Sequence, residues 1–369
     1  MSNATGGQDS GAIPSPNPLP GAPMPSTLTP PATTPAAAGA MPQVALGATG
    51  IMVSRLGLGG LFVSNHGGER AKGIATIKRA RALGITYIDT APGYGDSEEV
   101  LGAAFAADPD AAPVVLSTKL GGRPTPFNPK DRDGLLRSVE TSLKLLGRDR
   151  LDMLLIHEPD RPGQYAWWDD VASATGPVRT VLEDLKRQGV VKAIGLAGTT
   201  AYEIARLMDT GAFDVVLTAF QFSLLWREAE ATVLEVAKRR GMGVIVGSPL
   251  QQGALARRYD AEIEHGVPWM SPPRRAQFKA LYNVQEECGI PLAELALRFT
   301  LSHPAVHTVL MGARSPQEVE INAAAAAKGA LPAALLARLD AVAAMVPFRP
   351  YGEPFGLPMT WAHNGPGPA

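Results

Sequence analysis

The sequence predicts a closed parallel (β/α)₈ barrel, the TIM barrel class, on three observations. Eight short apolar runs rich in β-branched residues recur along the chain, amphipathic helical patterns lie between them, and no G-x-G-x-x-G turn opens the first helix. The last point matters because an open, doubly wound sheet would want that turn. "LGLGGLFVSNHGG" is glycine-rich but has the wrong spacing and leads into a loop.

Residues 1–42 are dominated by Pro, Ala, Gly, Ser and Thr, a composition that buries too little apolar surface to offset chain entropy, so they are expected to form a disordered arm. "VALGATGIMVS" reads as a β-hairpin turning around Gly47 to Gly50. The eight runs then follow as "SRLGLGG", "TYIDTA", "VVLSTK", "DMLLIH", "KAIGLAG", "DVVLTAFQ", "GVIVGS" and "HTVLMGA". Between them, "AKGIATIKRARALG" places Ile74, Ile77 and Ala80 or Arg81 at helical spacing and stops at Gly84. "DRDGLLRSVETSLKLLG" does the same with Leu136, Val139, Leu143 and Leu146 before Gly147. The barrel is assigned to 43–347, and 348–369 form a Pro/Gly-rich tail.

Composition narrows the function classes. Lys and Arg number 34 against 35 Asp and Glu, so no electrostatic footprint for nucleic acid or an anionic membrane is expected. The single cysteine, Cys288, excludes an intrachain disulfide framework and a cysteine zinc site. No basic start with an apolar run resembles a signal peptide, and no stretch approaches the roughly 20 apolar residues of a membrane span. A cytoplasmic protein acting on small molecules is the expectation, with its oligomeric state left open.

In barrels of this class chemistry sits at the carboxyl ends of the strands. Asp89 ends the second strand, Tyr94 follows it, Lys119 ends the third and His157 the fourth. Each has an ordinary reading alone: a turn aspartate, a loop aromatic, a snorkelling lysine, a core histidine. Together those readings weaken, because a lysine so near a barrel interior needs a carboxylate, and Asp89 is at hand. The ammonium is expected to bring the Tyr94 phenol below its usual pKa of about 10. Tyr94 then exchanges a proton with an oxygen that His157 orients. A proton donor with no nucleophile, metal or second carboxylate suits carbonyl–alcohol interconversion with hydride from a cofactor.

"YIDTAPGYGDSEEVLG", "LSTK", "LLIH" and "VLMGARSPQEVEIN", in that order, resemble the signatures of the aldo-keto reductases. The resemblance implies a catalytic tetrad of Tyr94, Lys119, Asp89 and His157, and an NAD or NADP bound across the mouth without a Rossmann domain. It implies that Gln221 holds the nicotinamide carboxamide and that Ser248, Leu250 and Gly253 cradle the pyrophosphate. Gly312, Ala313, Arg314 and Asn322 would grip the adenosine ribose. Two departures stand out: Ala197 and Gly198 replace the family's amide-binding Ser-Asn pair, and Gly247 replaces its stacking tyrosine. Arg257 or Arg258 either closes a strap over the cofactor or lies on a solvated face. Glu318 stands where NADP-preferring members carry an arginine, which tilts the expectation toward NAD.

Phe62, Trp167, Trp168 and Trp226 are the candidate substrate contacts, since aromatic faces suit the C–H face of a sugar ring. The chain looks most similar to the aldose 1-dehydrogenase branch, which implies oxidation of an aldose at C1 to its lactone. An NADPH-dependent reductase of small aldehydes or ketones is the alternative. A nucleotide-holding, redox-sensing partner protein of low turnover is a further one.

Overall fold

The computed structural model describes residues 33–34, 41–111, 113–350, 353 and 359. Eight strands close into a parallel barrel: Leu56–Gly59, Tyr87–Asp89, Val115–Leu120, Leu151–His157, Val191–Gly198, Val215–Ala219, Gly243–Gly247 and Thr308–Met311. Each pairs with its neighbours in chain order, and the eighth closes on the first with Leu310 in register with Gly57. All eight coincide with the apolar runs of the sequence. Their continuous apolarity has a direct cause, because a barrel strand is covered on both faces. Tyr87, Met153, Leu155, Val215, Ile245 and Leu310 fill the inside, and a larger cluster joins the outer faces to the helices.

The hairpin strands Gln43–Ala45 and Met52–Ser54 pair antiparallel, with Val44 opposite Val53. Val44, Leu46, Ile51 and Val53 join the inner cluster, so the hairpin plugs the amino end of the barrel. Gly47 is left-handed at φ 54°. Any Cβ there would sit 2.4 Å from the Gly243 nitrogen, so only glycine lets the turn approach the seventh strand. Within the segment read as an arm, Thr33–Thr34 adds a short third strand against Gln43 and Val44, and Met41 is buried. Residues 1–32 and 35–40 of that arm lie outside the described residues.

The first helix, Arg70–Ala82, buries Gly73, Thr76, Ile77 and Ala80, while Ile74 is only partly covered. Its contact face is built from small residues: a Cβ on Gly73 would meet the Val63 carbonyl at 2.1 Å. The apolar stripe of the sequence therefore holds at Ile77 and Ala80, and Gly73 and Thr76 complete the face. Helix Arg132–Leu146 likewise centres on Leu135, Val139 and Leu146, with Leu136 and Leu143 at its margin, and Gly147 ends it at φ 63°. Three helices, Asp260–His265, Pro272–Cys288 and Leu292–Ser302, separate the seventh and eighth strands. No described helix is long and apolar enough to cross a membrane.

Candidate active site

The two-residue period of a strand puts Tyr87 and Asp89, Ser117 and Lys119, and Leu155 and His157 on the inner wall, with the polar member of each pair nearest the mouth. Asp89 and Lys119 are both buried, and Lys119 Nζ donates to Asp89 Oδ2 at 2.7 Å and to the Thr90 carbonyl at 2.7 Å. Tyr94 is half-buried in the loop after the second strand. Its ring centroid lies 4.7 Å from Lys119 Nζ and 5.6 Å from the His157 ring, which meets it edge to face. Gly121, at φ 140°, makes room: a Cβ there would come 3.0 Å from that of His157.

Burial sets the protonation states. It lowers the His157 imidazole to about 3, with the charges of Lys119 and Arg161 adding to the effect. The ring is neutral near pH 7 and carries one N–H to donate. Burial is the largest influence on the Lys119 amine and would lower it, but Asp89 and Tyr94 together outweigh it and hold the ammonium above its usual range. Tyr94 departs from the sequence reading. Burial raises its phenol above the ordinary value, and the Lys119 charge opposes that rise without reversing it.

The mouth on the far side is built differently. Gln221 is buried and gives its Nε2 to the Thr199 carbonyl at 2.6 Å, which leaves Oε1 as an acceptor. At Ala197 and Gly198 the missing pair has a steric reason. A Cβ on Gly198 would lie 2.7 Å from both carboxylate oxygens of Asp160. That carboxylate is buried and accepts from Thr199 N at 2.8 Å, Thr200 N at 2.5 Å and Thr200 Oγ1 at 2.6 Å. Asp160 thus fixes, from another loop, the turn that leads into helix Ala201–Asp209, a role the sequence reading missed.

After the seventh strand, Ser248, Gln251 and Gln252 all hold φ near 50°, a costly conformation for residues other than glycine. Gln251 holds the turn by donating to the Phe220 carbonyl at 2.9 Å and to Ser223 Oγ at 3.1 Å. Leu250 is half-buried there, and Gly253, at φ 104°, is fixed by the Tyr259 hydroxyl. Gly247 is closely packed, since a Cβ would meet Leu217 Cδ2 at 3.2 Å. Arg258 is engaged by Asp260 and Glu286, and Arg257 stacks on Tyr259.

At the other end of the mouth Glu318 also serves the backbone. Its Oε2 accepts from Arg314 N at 2.8 Å while Ser315 Oγ accepts from Glu318 N, a capping arrangement that opens helix Pro316–Ala327. Asn322 donates its side-chain amide to the Glu318 carbonyl at 2.8 Å, and Ala313 is buried. Arg314 stays exposed with its guanidinium 4.4 Å from the Phe62 ring centroid, and Gly312 admits that ring, since a Cβ would lie 2.9 Å from it. A nicotinamide dinucleotide fits this donor set, with an amide acceptor at Gln221 and a cation beside a helix N-terminus at Arg314.

The aromatic candidates separate. Trp226 is fully buried, its N–H bonded to Glu353 and the Arg274 guanidinium 4.5 Å from its ring, so it anchors the tail and has no face toward substrate. Trp167 is also buried, against Phe127 and Tyr165. Trp168 packs on Phe213 and gives its N–H to the Pro159 carbonyl. Phe62 stacks with Arg314. Of the tail residues, Glu353 and Met359 are buried, whereas Tyr351, Phe355 and Trp361 lie outside the described residues. Among the described residues no group of three His, Cys, Asp or Glu side chains could hold a metal ion.

With this geometry in view, comparison with known proteins is informative. A family model described as the aldo/keto reductase family matches residues 55–344. Pyridoxal 4-dehydrogenase from Microbacterium luteolum is 30% identical over 319 residues, covering 75% of this chain and 91% of that protein. D-threo-aldose 1-dehydrogenase from a Pseudomonas species is 29% identical over 336 residues, covering 83% and 98%. Among solved structures, an aldo-keto reductase from Bacillus halodurans in its holo form superposes with a TM-score of 0.66 at 25% identity, covering 82% of this chain and 96% of that one.

Proposed function

The chain belongs to the aldo/keto reductase family, whose members are NAD(P)-dependent oxidoreductases acting on carbonyl and alcohol groups, and from that premise we propose that it oxidises an aldose at C1 to the lactone. The observation that carries the reading is the buried Lys119–Asp89 pair at 2.7 Å with the Tyr94 ring centroid 4.7 Å from the ammonium. Tyr94 takes the C1 hydroxyl proton as the C1–H bond breaks. Lys119 stabilises the phenolate that must form first, and Asp89 keeps the lysine charged in a site where burial would otherwise neutralise it. His157, neutral, donates its N–H to the substrate oxygen and fixes the C1 centre. A bound NAD(P) would supply the hydride acceptor for C1.

Gln221 Oε1 would accept the carboxamide N–H, the loop from Ser248 to Gly253 would take the pyrophosphate, and Arg314 with Asn322 the adenosine end. We retain NAD as the preferred cofactor, because the Glu318 carboxylate still places a negative charge on the loop that would meet a 2′-phosphate. The relationship to a D-threo-aldose 1-dehydrogenase along 83% of the chain supports the sugar reading. The burial of Trp167 and Trp226 favours the second reading, NADPH-linked reduction of small aldehydes or ketones, because it removes two faces that would stack on a sugar.

A panel of aldoses with NAD and NADP, and of simple aldehydes with NADH and NADPH, followed by nicotinamide absorbance, separates the two. Aldose oxidation with NAD supports the first. Turnover of simple aldehydes with NADPH and none of aldoses sinks it.

A further inference from the structure

Beneath the candidate tetrad runs a buried line of hydrogen bonds with a fixed direction. Ser117 Oγ donates to Asp89 Oδ1 at 2.6 Å, and the Tyr87 hydroxyl lies 2.9 Å from the same serine oxygen. A serine hydroxyl has one proton, and the carboxylate takes it. Tyr87 must therefore be the donor of the second bond. All three side chains are buried, and burial with the nearby Asp89 charge raises the Tyr87 phenol well above its usual range, so it keeps that proton. The pleat builds the line: Tyr87 and Asp89 alternate on the second strand, Ser117 and Lys119 on the third, with Asp89 in register with Ser117.

Resting on the reading of Tyr94 as the proton carrier, we propose that Ser117, and Tyr87 through it, are positioning residues for that proton transfer. Asp89 Oδ1 is held by Ser117 and Oδ2 by Lys119, so the carboxylate cannot rotate. With two protons of the ammonium given to Asp89 and the Thr90 carbonyl, the third faces Tyr94. The groups acting on Tyr94 are Asp89 from the second strand, Lys119 from the third, and His157 and Glu158 from the fourth. Removing the Ser117 O–H dipole makes the potential at Tyr94 more negative and frees Asp89 to turn. Both effects disfavour the phenolate.

The test is a tyrosinate difference titration of the ligand-free full chain, with Tyr94→Phe subtracted as the blank, paired with pH profiles of kcat. Ser117→Ala should raise the Tyr94 midpoint by about 0.5–1 pH unit and lower kcat by on the order of tenfold, with dinucleotide Kd and substrate KM held within about twofold. Ser117→Thr, which keeps the hydroxyl, should restore both. Tyr87→Phe should give a smaller shift of the same sign, and it carries the test if Ser117→Ala does not fold. Wild-type midpoints in folded Ser117→Ala and Tyr87→Phe proteins would overturn the inference. Full turnover by Tyr94→Phe would instead overturn the functional reading beneath it.

Discussion

The barrel mouth has two halves built on different principles. At the ends of the second to fourth strands, side chains satisfy one another: Tyr87, Ser117, Asp89 and Lys119 form one buried chain, and Glu98 accepts from Thr118 and pairs with Arg123. At the ends of the fifth to eighth strands, loop backbone is tied down by isolated side chains, Asp160 on Thr199 and Thr200, Gln251 on Phe220, Glu318 on Arg314. A network of buried charges tolerates no vacancy, because each removed partner leaves another stranded. A loop held through its backbone constrains its side chains only where they pack, as at Gly198 and Gly247. That contrast separates the candidate tetrad, whose side chains lean on one another, from Gly198 and Gly247, whose size is set by the residues packed against them.

Breaking the first half should cost most. Lys119→Met leaves the Asp89 carboxylate buried without a counter-ion, so we expect a loss of about 3–5 kcal/mol in denaturant unfolding and a fall in turnover of about 10²-fold or more. A variant as stable as wild type would put Lys119 outside the network. On the second half, Asp160→Ala removes one acceptor from three donors, with an expected cost of about 1–3 kcal/mol. Because Thr199 also anchors Gln221, dinucleotide binding should weaken while the Tyr94 titration stays where it was. A shifted Tyr94 midpoint would show that the halves are coupled after all.

Acid should separate the halves further. His157 is lowered to about 3, and His303 and His307 to about 4, from an unfolded value of 6.5. A histidine whose folded value lies below its unfolded one takes up protons on unfolding, so its stabilisation is complete above pH 6.5 and is lost as pH falls toward 4 and then 3. Thermal melts should show Tm declining over that window. Across the same window kcat should show no step near 6.5 from His157, while aldose oxidation should climb on the alkaline side as Tyr94 loses its proton. The smallest effect is expected from Glu318→Ala, about 1 kcal/mol for a lost helix cap, with an accompanying shift of preference toward NADP measured by parallel binding titrations.

The strands were legible because a twice-buried strand must be an apolar run, and the four candidate site residues because titratable groups at the ends of such runs are conspicuous. Ser117 and Tyr87 were not, since a hydroxyl inside a β-rich run looks like ordinary strand composition. The second role of Glu318, holding the Arg314 N–H, was written locally as Ser315 followed three residues later by a glutamate. Trp226 depended on Glu353, a partner 127 positions away that no local pattern discloses. In helix Arg70–Ala82 the sequence stripe found Ile77 and Ala80, both buried, and missed Gly73 and Thr76 beside them, since small residues carry no apolar signal.

The most direct test of the account is Tyr94→Phe, assayed for aldose oxidation and for dinucleotide binding by fluorescence on the same preparation. The account predicts that turnover falls by about 10³-fold or more while Kd stays within about twofold. Retention of turnover in a folded Tyr94→Phe protein would contradict it.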